Sequence, residues 1–210
     1  MTERVDELQK ELKELEQQHK FWSSGTALRM VLDTNVYLKG PKIEDLRQAD
    51  LTLDASQPLC LVVPSVVLDE LDNLKSSNDK HVRWRAGLSS AVIYNRLRRN
   101  ATSLGVLRER DAEGAEITIA YLPDPPGHQR LPIADDEIVR RTSALAPLTK
   151  DTIGLITHDA GMALRSELAD LITIRLVDPV ENEPEPERPA PKQKRQGQGQ
   201  GQGHNPQQQN

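Results

Sequence analysis

Short apolar runs alternate with longer segments of helical spacing along most of the chain, and this alternation constrains the fold more than any other feature. Four runs have the composition of buried strands: 27–32, 59–63, 152–156 and 171–177. Segments between and beside them place apolar residues three and four positions apart: 65–74, 82–97, 137–145 and 161–169. Strands that alternate with helices usually pair in parallel and are covered by helices. The pattern therefore predicts a three-layer α/β/α domain with a mostly parallel central sheet.

One segment departs from this alternation. The runs 106–110 and 117–122 flank the polar turn DAEGAE, and the second run alternates as ITIAYL. Two such runs around a short turn predict a β-hairpin. A polar loop, PDPPGHQRLP, follows and leads to the acidic residues Asp135, Asp136 and Glu137.

The two ends of the chain differ from this central part. Apolar residues recur at helical spacing in the first segment, at Val5, Leu8, Leu12 and Leu15. They predict an amphipathic helix that either docks on its own domain or forms a short coiled coil and so a homo-oligomer. After Pro179 the chain is acidic, then basic at KQKR, then a Gly-Gln repeat, which is typical of disorder. We expect an amphipathic helix over 1–25, a folded domain over 26–180 and a disordered tail over 181–210.

Composition restricts the compartment and the partners. The chain has a formal net charge of −5 and one cysteine, Cys60, so the sequence predicts neither a disulfide framework nor a global attraction to nucleic acid. No run approaches the roughly 20 apolar residues that span a bilayer, and the N-terminal segment is not that of a signal peptide. We therefore expect a cytoplasmic protein without membrane contact. The KQKR phrase is either a nucleic-acid contact or part of a solubilising tail.

Four acidic residues lie where predicted strands end or the next helices begin: Asp33, Glu70, Asp135 and Asp159. Ligands of parallel α/β sheets bind beyond the carboxyl ends of the strands, so these side chains are candidates for one site. For each acid alone, helix capping or solvent exposure is the simpler interpretation. Four acids at strand ends and helix starts favour a shared binding site over four separate caps.

A shared site of carboxylates needs a counter-charge, because burying each unpaired ion costs about several kcal/mol. Carboxylate oxygens suit Mg²⁺ or Mn²⁺. Such an ion makes bound water a nucleophile at neutral pH, and a second ion stabilises the leaving oxygen of a phosphodiester. The sequence therefore predicts metal-dependent phosphodiester hydrolysis.

Four phrases, in this order, resemble the PIN-domain ribonucleases: VLDTNVYLKG, VVPSVVLDELDNLK, ADDEIVRR and LITHDAGMALRSEL. The resemblance covers about residues 27–180 and is closest to the PIN module of PhoH-type proteins, although this chain has no Walker-A phosphate loop. It implies an enzyme, a Mg²⁺- or Mn²⁺-dependent ribonuclease that cuts single-stranded RNA and leaves a 5′-phosphate.

The resemblance assigns catalysis and metal binding to four residues: Asp33, Glu70, Asp135 and Asp159. Asp136 is a further metal ligand, and it either assists Asp135 or replaces it, because the doubled acid leaves two registers open.

Three polar residues accompany these acids. Asn35 and Thr157 match positions that orient the acids or the metal-bound water in the family, and each is also a candidate local cap. His158 stands where many relatives have Asn, and a structural role is the simpler interpretation of a lone histidine.

A basic stretch supplies candidate RNA contacts: Lys75, Lys80, Arg83 and Arg85. Such charges attract phosphates without sequence preference, and a solvated helix face is the alternative. Trp84 lies among them, and we expect it to pack in the core rather than to stack on a base.

Other functions fit the sequence less well. A haloacid-dehalogenase-like phosphatase needs a second Asp where this chain has Asn35, and a dinucleotide-binding enzyme needs a glycine-rich turn that the chain lacks. The main alternative is a PIN-like module with little turnover that binds RNA or another protein. A toxin-type protein controlled by a regulatory partner is a further alternative.

Overall fold

The computed structural model describes residues 27–98 and 104–177, and nine further residues between positions 4 and 23. Six strands form one sheet within this part of the chain: β1 (Leu28–Leu32), β2 (Leu59–Pro64), β3 (Leu104–Arg108), β4 (Ile117–Leu122), β5 (Ile153–Thr157) and β6 (Ile172–Arg175). Five helices surround it: α1 (Thr34–Lys39), α2 (Ser65–Leu74), α3 (Lys80–Leu97), α4 (Ala134–Leu145) and α5 (Ala160–Leu168). Short 3-10 turns lie at Gln48–Leu51 and Ala146–Leu148.

The sheet has the strand order β3-β4-β2-β1-β5-β6. Its neighbouring strands are parallel except for β3 and β4, which form the predicted antiparallel pair. The predicted fold class, three-layer α/β/α with a mostly parallel sheet, is confirmed.

The three central strands are buried along their whole length. Every residue of β1, β2 and β5 is buried, and Met30, Leu61 and Leu155 are fully inaccessible to solvent. Strands that are covered on both faces need apolar side chains on both faces, which explains their continuous rather than alternating apolar runs. This core fixes where the carboxyl ends of β1, β2 and β5 lie.

The chain crosses from one half of the sheet to the other next to β1. The β2 strand lies on one side of β1, and β5 lies on the other. Ligands of open α/β sheets bind outside the carboxyl ends of the strands at such a switch point. Asp33 directly follows β1, and Asp159 follows β5 with one residue between them, so the two acids flank the switch point.

The nine residues described between positions 4 and 23 are all helical. Trp22 is buried, and its ring lies 5.2 Å from the guanidinium carbon of Arg29. Val5, Leu8 and Leu12 are about half exposed, at 48%, 50% and 57%. The tail predicted over 181–210 lies outside the described residues, and the predicted domain limits stay predictions. No helix in the described part combines the length and the apolar character needed to cross a membrane.

Candidate active site

Asp33 lies at the end of β1, in the middle of the sheet, and is only 2% exposed. The Thr157 hydroxyl, at the end of β5, donates a hydrogen bond of 3.0 Å to Asp33 Oδ2. Burial raises the pKa of Asp33 and the negative charge of Asp135 raises it further, while hydrogen bonds from Thr157 and Asn35 lower it. No Lys or Arg side chain among the described residues forms an ion pair with Asp33. The centre of the sheet therefore holds a buried carboxyl group without a cationic partner.

Glu70 lies on α2 and faces the same region. The Thr34 hydroxyl, in the first turn of α1, donates a 2.7 Å hydrogen bond to Glu70 Oε2. Burial raises the pKa of Glu70, and the charges of Asp33 and Asp135 add to this effect against the lowering effect of the Thr34 bond. Three acids from three different elements thus act on each other electrostatically.

Asp135 and Asp136 lie in the first turn of α4, and both pair with Arg165 of α5. Arg165 Nη2 is 3.2 Å from Asp135 Oδ2, and Arg165 Nε is 2.9 Å from Asp136 Oδ1. The negative charge of Asp135 raises the pKa of Asp33 and of Glu70. Asp136 instead lines a groove between α4 and α5.

Asp159 is the N-cap of α5, so its carboxylate also has a structural role. Its Oδ1 accepts a 2.5 Å hydrogen bond from the backbone N–H of Met162. Its own N–H donates to Thr157 Oγ1 at 2.9 Å. Thr157 is therefore in direct contact with both Asp33 and Asp159 and connects the ends of β1 and β5.

The predicted acids meet at one edge of the sheet, and in this structure each of them has a protein partner. Asp33 and Glu70 bind threonine hydroxyls, Asp159 binds a backbone N–H, and Asp135 pairs with an arginine. No three of these acids have carboxylate oxygens within 4.8 Å of one another. The donor set nonetheless fits Mg²⁺ or Mn²⁺, because it consists of carboxylates and because Asp33 and Glu70 lack the positive charge that such an ion supplies.

Two residues of this region, Thr34 and Arg165, were not predicted from the sequence.

The family model described as PIN domain matches residues 30–176, from β1 to the end of β6. The chain belongs to the PIN-domain family. The match includes every acid described above, and it gives the protein a nuclease-type fold.

Other comparisons add little to this assignment. No curated protein matches the chain. One similar solved structure is described as a domain of a functionally unknown protein from Methanocaldococcus jannaschii. It is 13% identical, covers 76% of this chain and 96% of that chain, and has a TM-score of 0.46.

A second polar cluster lies beside the loop before α4. Asp124, His128 and Glu137 have ligand-type atoms within 4.8 Å of one another, the one such group of three among the described residues. Glu137 is fully buried, lies 2.6 Å from His128 Nε2 and accepts the N–H of Leu131 at 2.9 Å.

The groups of this second cluster already have partners. Asp124 Oδ2 is 2.6 Å from Arg130 Nε, and Asp124 Oδ1 is 3.8 Å from Arg141 Nε. A metal ion here would have to displace an arginine and break the bonds of a buried carboxylate. The cluster is better explained as the connection that holds the loop against the start of α4, and so fixes Asp135.

The predicted RNA contacts differ in accessibility. Lys75, Lys80 and Arg83 are exposed, although Lys75 Nζ pairs with Asp72 at 2.5 Å. Arg85 is only 5% exposed, and its guanidinium donates to four backbone carbonyl groups around the end of α1. We correct the prediction for Arg85, because its donors face inward and hold the fold together. The expectation for Trp84 was also wrong, since its side chain is 52% exposed.

Proposed function

We propose that this protein is a ribonuclease that hydrolyses phosphodiester bonds of single-stranded RNA and depends on Mg²⁺ or Mn²⁺. The observation that carries the proposal is Asp33, a buried acid at the switch point of the sheet with raised pKa and no cationic partner among the described residues. Placing an unpaired acid there destabilises the fold, and a bound divalent cation reverses that effect.

Four acids are the proposed ligands: Asp33, Glu70, Asp135 and Asp159. When bound, the ion supplies positive charge for the phosphate and activates water at neutral pH. Thr157 and Thr34 hold the carboxylates of Asp33 and Glu70 in place through their hydroxyl groups. Asp136 is a supporting ligand, and Asn35 restricts Asp33 through its hydrogen bonds.

Water is the nucleophile in this proposal, and no side chain forms a covalent intermediate. Attack on phosphorus breaks the bond to the 3′ oxygen, so the products carry a 5′-phosphate and a 3′-hydroxyl. The exposed residues Lys75, Lys80 and Arg83 attract the RNA backbone through charge. Cytoplasmic location, a homo-oligomer and a regulatory protein partner stay predictions from the sequence.

The test is cleavage of end-labelled single-stranded RNA by the purified protein with Mn²⁺, Mg²⁺ or a chelator. We expect cleavage only with metal, and a loss of at least about 100-fold in the Asp33→Asn variant, because several kcal/mol of charge stabilisation depend on this ligand. Asp54→Asn is the matched control, since Asp54 lies in the loop before β2 and its carboxylate accepts hydrogen bonds only from Ser56. Equal cleavage by Asp33→Asn, or none by folded protein with metal, would favour the binding-module alternative.

A further inference from the structure

Arg165 lies among the carboxylates to which the proposed function assigns a metal ion. It reaches Asp135 at 3.2 Å and Asp136 at 2.9 Å. Arg165 Nη1 and Asp159 Oδ1 lie on the same side of Gly161, 3.3 Å and 3.2 Å from the place of a Cβ atom there, without forming an ion pair. A fixed positive charge therefore lies where the proposed ligands from α4 and α5 come together.

This positive charge competes with a metal ion. The guanidinium of an arginine carries one positive charge, as a metal ion at these acids would carry positive charge. Arg165 engages one oxygen of each carboxylate, Asp135 Oδ2 and Asp136 Oδ1. A divalent cation that binds Asp135 through Oδ2 would have to move this guanidinium, and one that binds through the other oxygen would lie beside a like charge.

The structure offers the displaced side chain another place. Arg165 is 41% exposed, and its stem lines the groove between α4 and α5, which has a volume of about 490 Å³. The groove begins at Asp136 and continues past Val139 and Arg140. A guanidinium that turns from the acids into this groove stays beside Asp136, which lines the same groove.

We propose that Arg165 substitutes for the metal ion at Asp135 and Asp136 in the metal-free protein and binds an RNA phosphate once the ion has displaced it. The planar guanidinium has two parallel N–H donors that match two non-bridging phosphate oxygens, as they match a carboxylate. The inference rests on the proposed function, because it requires that these acids bind a metal ion. It adds a phosphate-binding residue to the site.

The first test is calorimetric titration of Mn²⁺ into the full chain and its variants. Arg165→Ala removes the competing charge, so we expect it to bind Mn²⁺ about two- to fivefold more tightly than wild type. Arg165→Lys keeps the charge but loses the two-pronged geometry, and we expect an intermediate affinity. Thermal unfolding of each variant verifies that it is folded.

Arg96→Ala is the matched control for this titration. Arg96 is 36% exposed, pairs with Glu44 at 3.5 Å, and packs against Gly105 of β3, an outermost strand that is three strands away from β1. It therefore removes a similar arginine–carboxylate pair far from the proposed site, and its Mn²⁺ affinity should equal that of wild type.

The second test titrates adenosine 5′-monophosphate, which carries the phosphate of the proposed product and has no bond to be cut. With saturating Mn²⁺, we expect Arg165→Ala to bind it about tenfold more weakly than wild type, the loss typical of a charge-assisted hydrogen bond. Without metal, Arg165 is engaged with the acids, and the two proteins should bind the nucleotide equally.

The outcomes separate the two proposals. Wild-type protein that binds no Mn²⁺ would contradict the proposed function itself. If wild type binds Mn²⁺, two results each overturn only the inference for Arg165. One is Mn²⁺ affinity that is unchanged or weaker in Arg165→Ala. The other is a loss of nucleotide binding that is the same with and without metal.

Discussion

Thr157 is a neutral residue that contacts two of the proposed metal ligands. Its hydroxyl donates to Asp33 and accepts from the N–H of Asp159, so it sets the distance between the two acids. Hydroxyl groups that orient ligands typically change metal affinity by about 10–100-fold when they are lost.

We therefore predict that Thr157→Val weakens Mn²⁺ binding and slows RNA cleavage by about 10-fold or more, because the valine has a similar shape but neither donates nor accepts. Thr157→Ser keeps the hydroxyl and should retain most of both properties. Calorimetry and the cleavage assay measure the two effects. A valine variant with wild-type affinity would show that Thr157 is only a structural cap.

The positions of the acids were predictable from the sequence, but several of their partners were not. Asp33 and Asp159 follow apolar runs whose strand character is evident from composition. Thr34 and Arg165 have no such signal, because their roles depend on which helices pack together in three dimensions. The prediction for Arg85 failed for the same reason, since a basic helix residue turns inward when backbone carbonyl groups lie within its reach.

At the scale of elements, Arg85 connects α3 to the end of α1. Its Nη2 donates to the carbonyl groups of Tyr37, Gly40 and Pro41, each at 2.7 Å, and its Nε donates to that of Leu38 at 3.1 Å. These carbonyl groups lie at a helix end, where no helical N–H is present to bind them. The guanidinium therefore satisfies acceptors that water reaches poorly.

We predict that Arg85→Ala lowers the free energy of unfolding by about 2–4 kcal/mol, because one buried and three partly buried acceptors lose their donor at once. Arg83→Ala is the control, since Arg83 is exposed and donates only to the Ser77 carbonyl. We expect a change within about 0.5 kcal/mol for it. Urea unfolding measures both values, and similar losses in the two variants would contradict the role of Arg85.

Substitution of two glycines in different elements by alanine should change the stability of the protein in opposite directions. A Cβ on Gly154 in β5 would lie 2.3 Å from the Ile172 carbonyl oxygen, so Gly154→Ala pushes β6 away and destabilises the protein. A Cβ on Gly87 in α3 meets nothing within 4 Å, so Gly87→Ala stabilises the protein by about 0.5–1 kcal/mol through the better helix former. Urea unfolding checks both signs, and a destabilised Gly87→Ala variant would contradict the second.

The elements themselves were predictable where the signal was long or strongly apolar. β2 and β5 were indicated by runs of aliphatic residues, and α3 and α4 by their spacing. The six-residue helix α1 was not predicted, because it begins directly after the apolar run of β1 and is too short to show a helical period. The strand order was also beyond the sequence, since it depends on long-range pairing.

For the whole molecule, the proposed site lowers stability in the absence of metal. Burial raises the pKa of Asp33 and of Glu70, so the folded protein holds these protons more tightly than the unfolded chain does. The two acids therefore favour folding most below about pH 4, their usual pKa. This contribution is lost as the pH rises through their raised pKa values.

We predict that Asp33→Asn, which removes one of these charges, is more stable than wild type at pH 7 in the presence of a chelator. A rise in Tm of about 2–4 °C corresponds to about 1 kcal/mol for a domain of this size. The difference should shrink as the pH falls through the raised pKa of Asp33, because the wild-type carboxyl group then becomes neutral as well. Thermal unfolding from pH 4 to pH 7 measures it, with Asp54→Asn as the control that should gain no stability.

If Asp33→Asn were less stable than wild type at pH 7, or if the difference in Tm did not change with pH, the Asp33 carboxylate would not be an unneutralised charge that destabilises the fold. With excess Mn²⁺, wild type should become more stable than Asp33→Asn, because only wild type gains the free energy of metal binding.

The central claim is that the acids at the carboxyl edge of the sheet bind a divalent cation. The most direct measurement is anomalous diffraction from crystals of the protein grown with Mn²⁺. We predict a peak about 2.0–2.6 Å from carboxylate oxygens of Asp33 and Asp135, with Arg165 turned away from both α4 acids. A peak only at His128 and Glu137, or none at saturating Mn²⁺, would contradict the account.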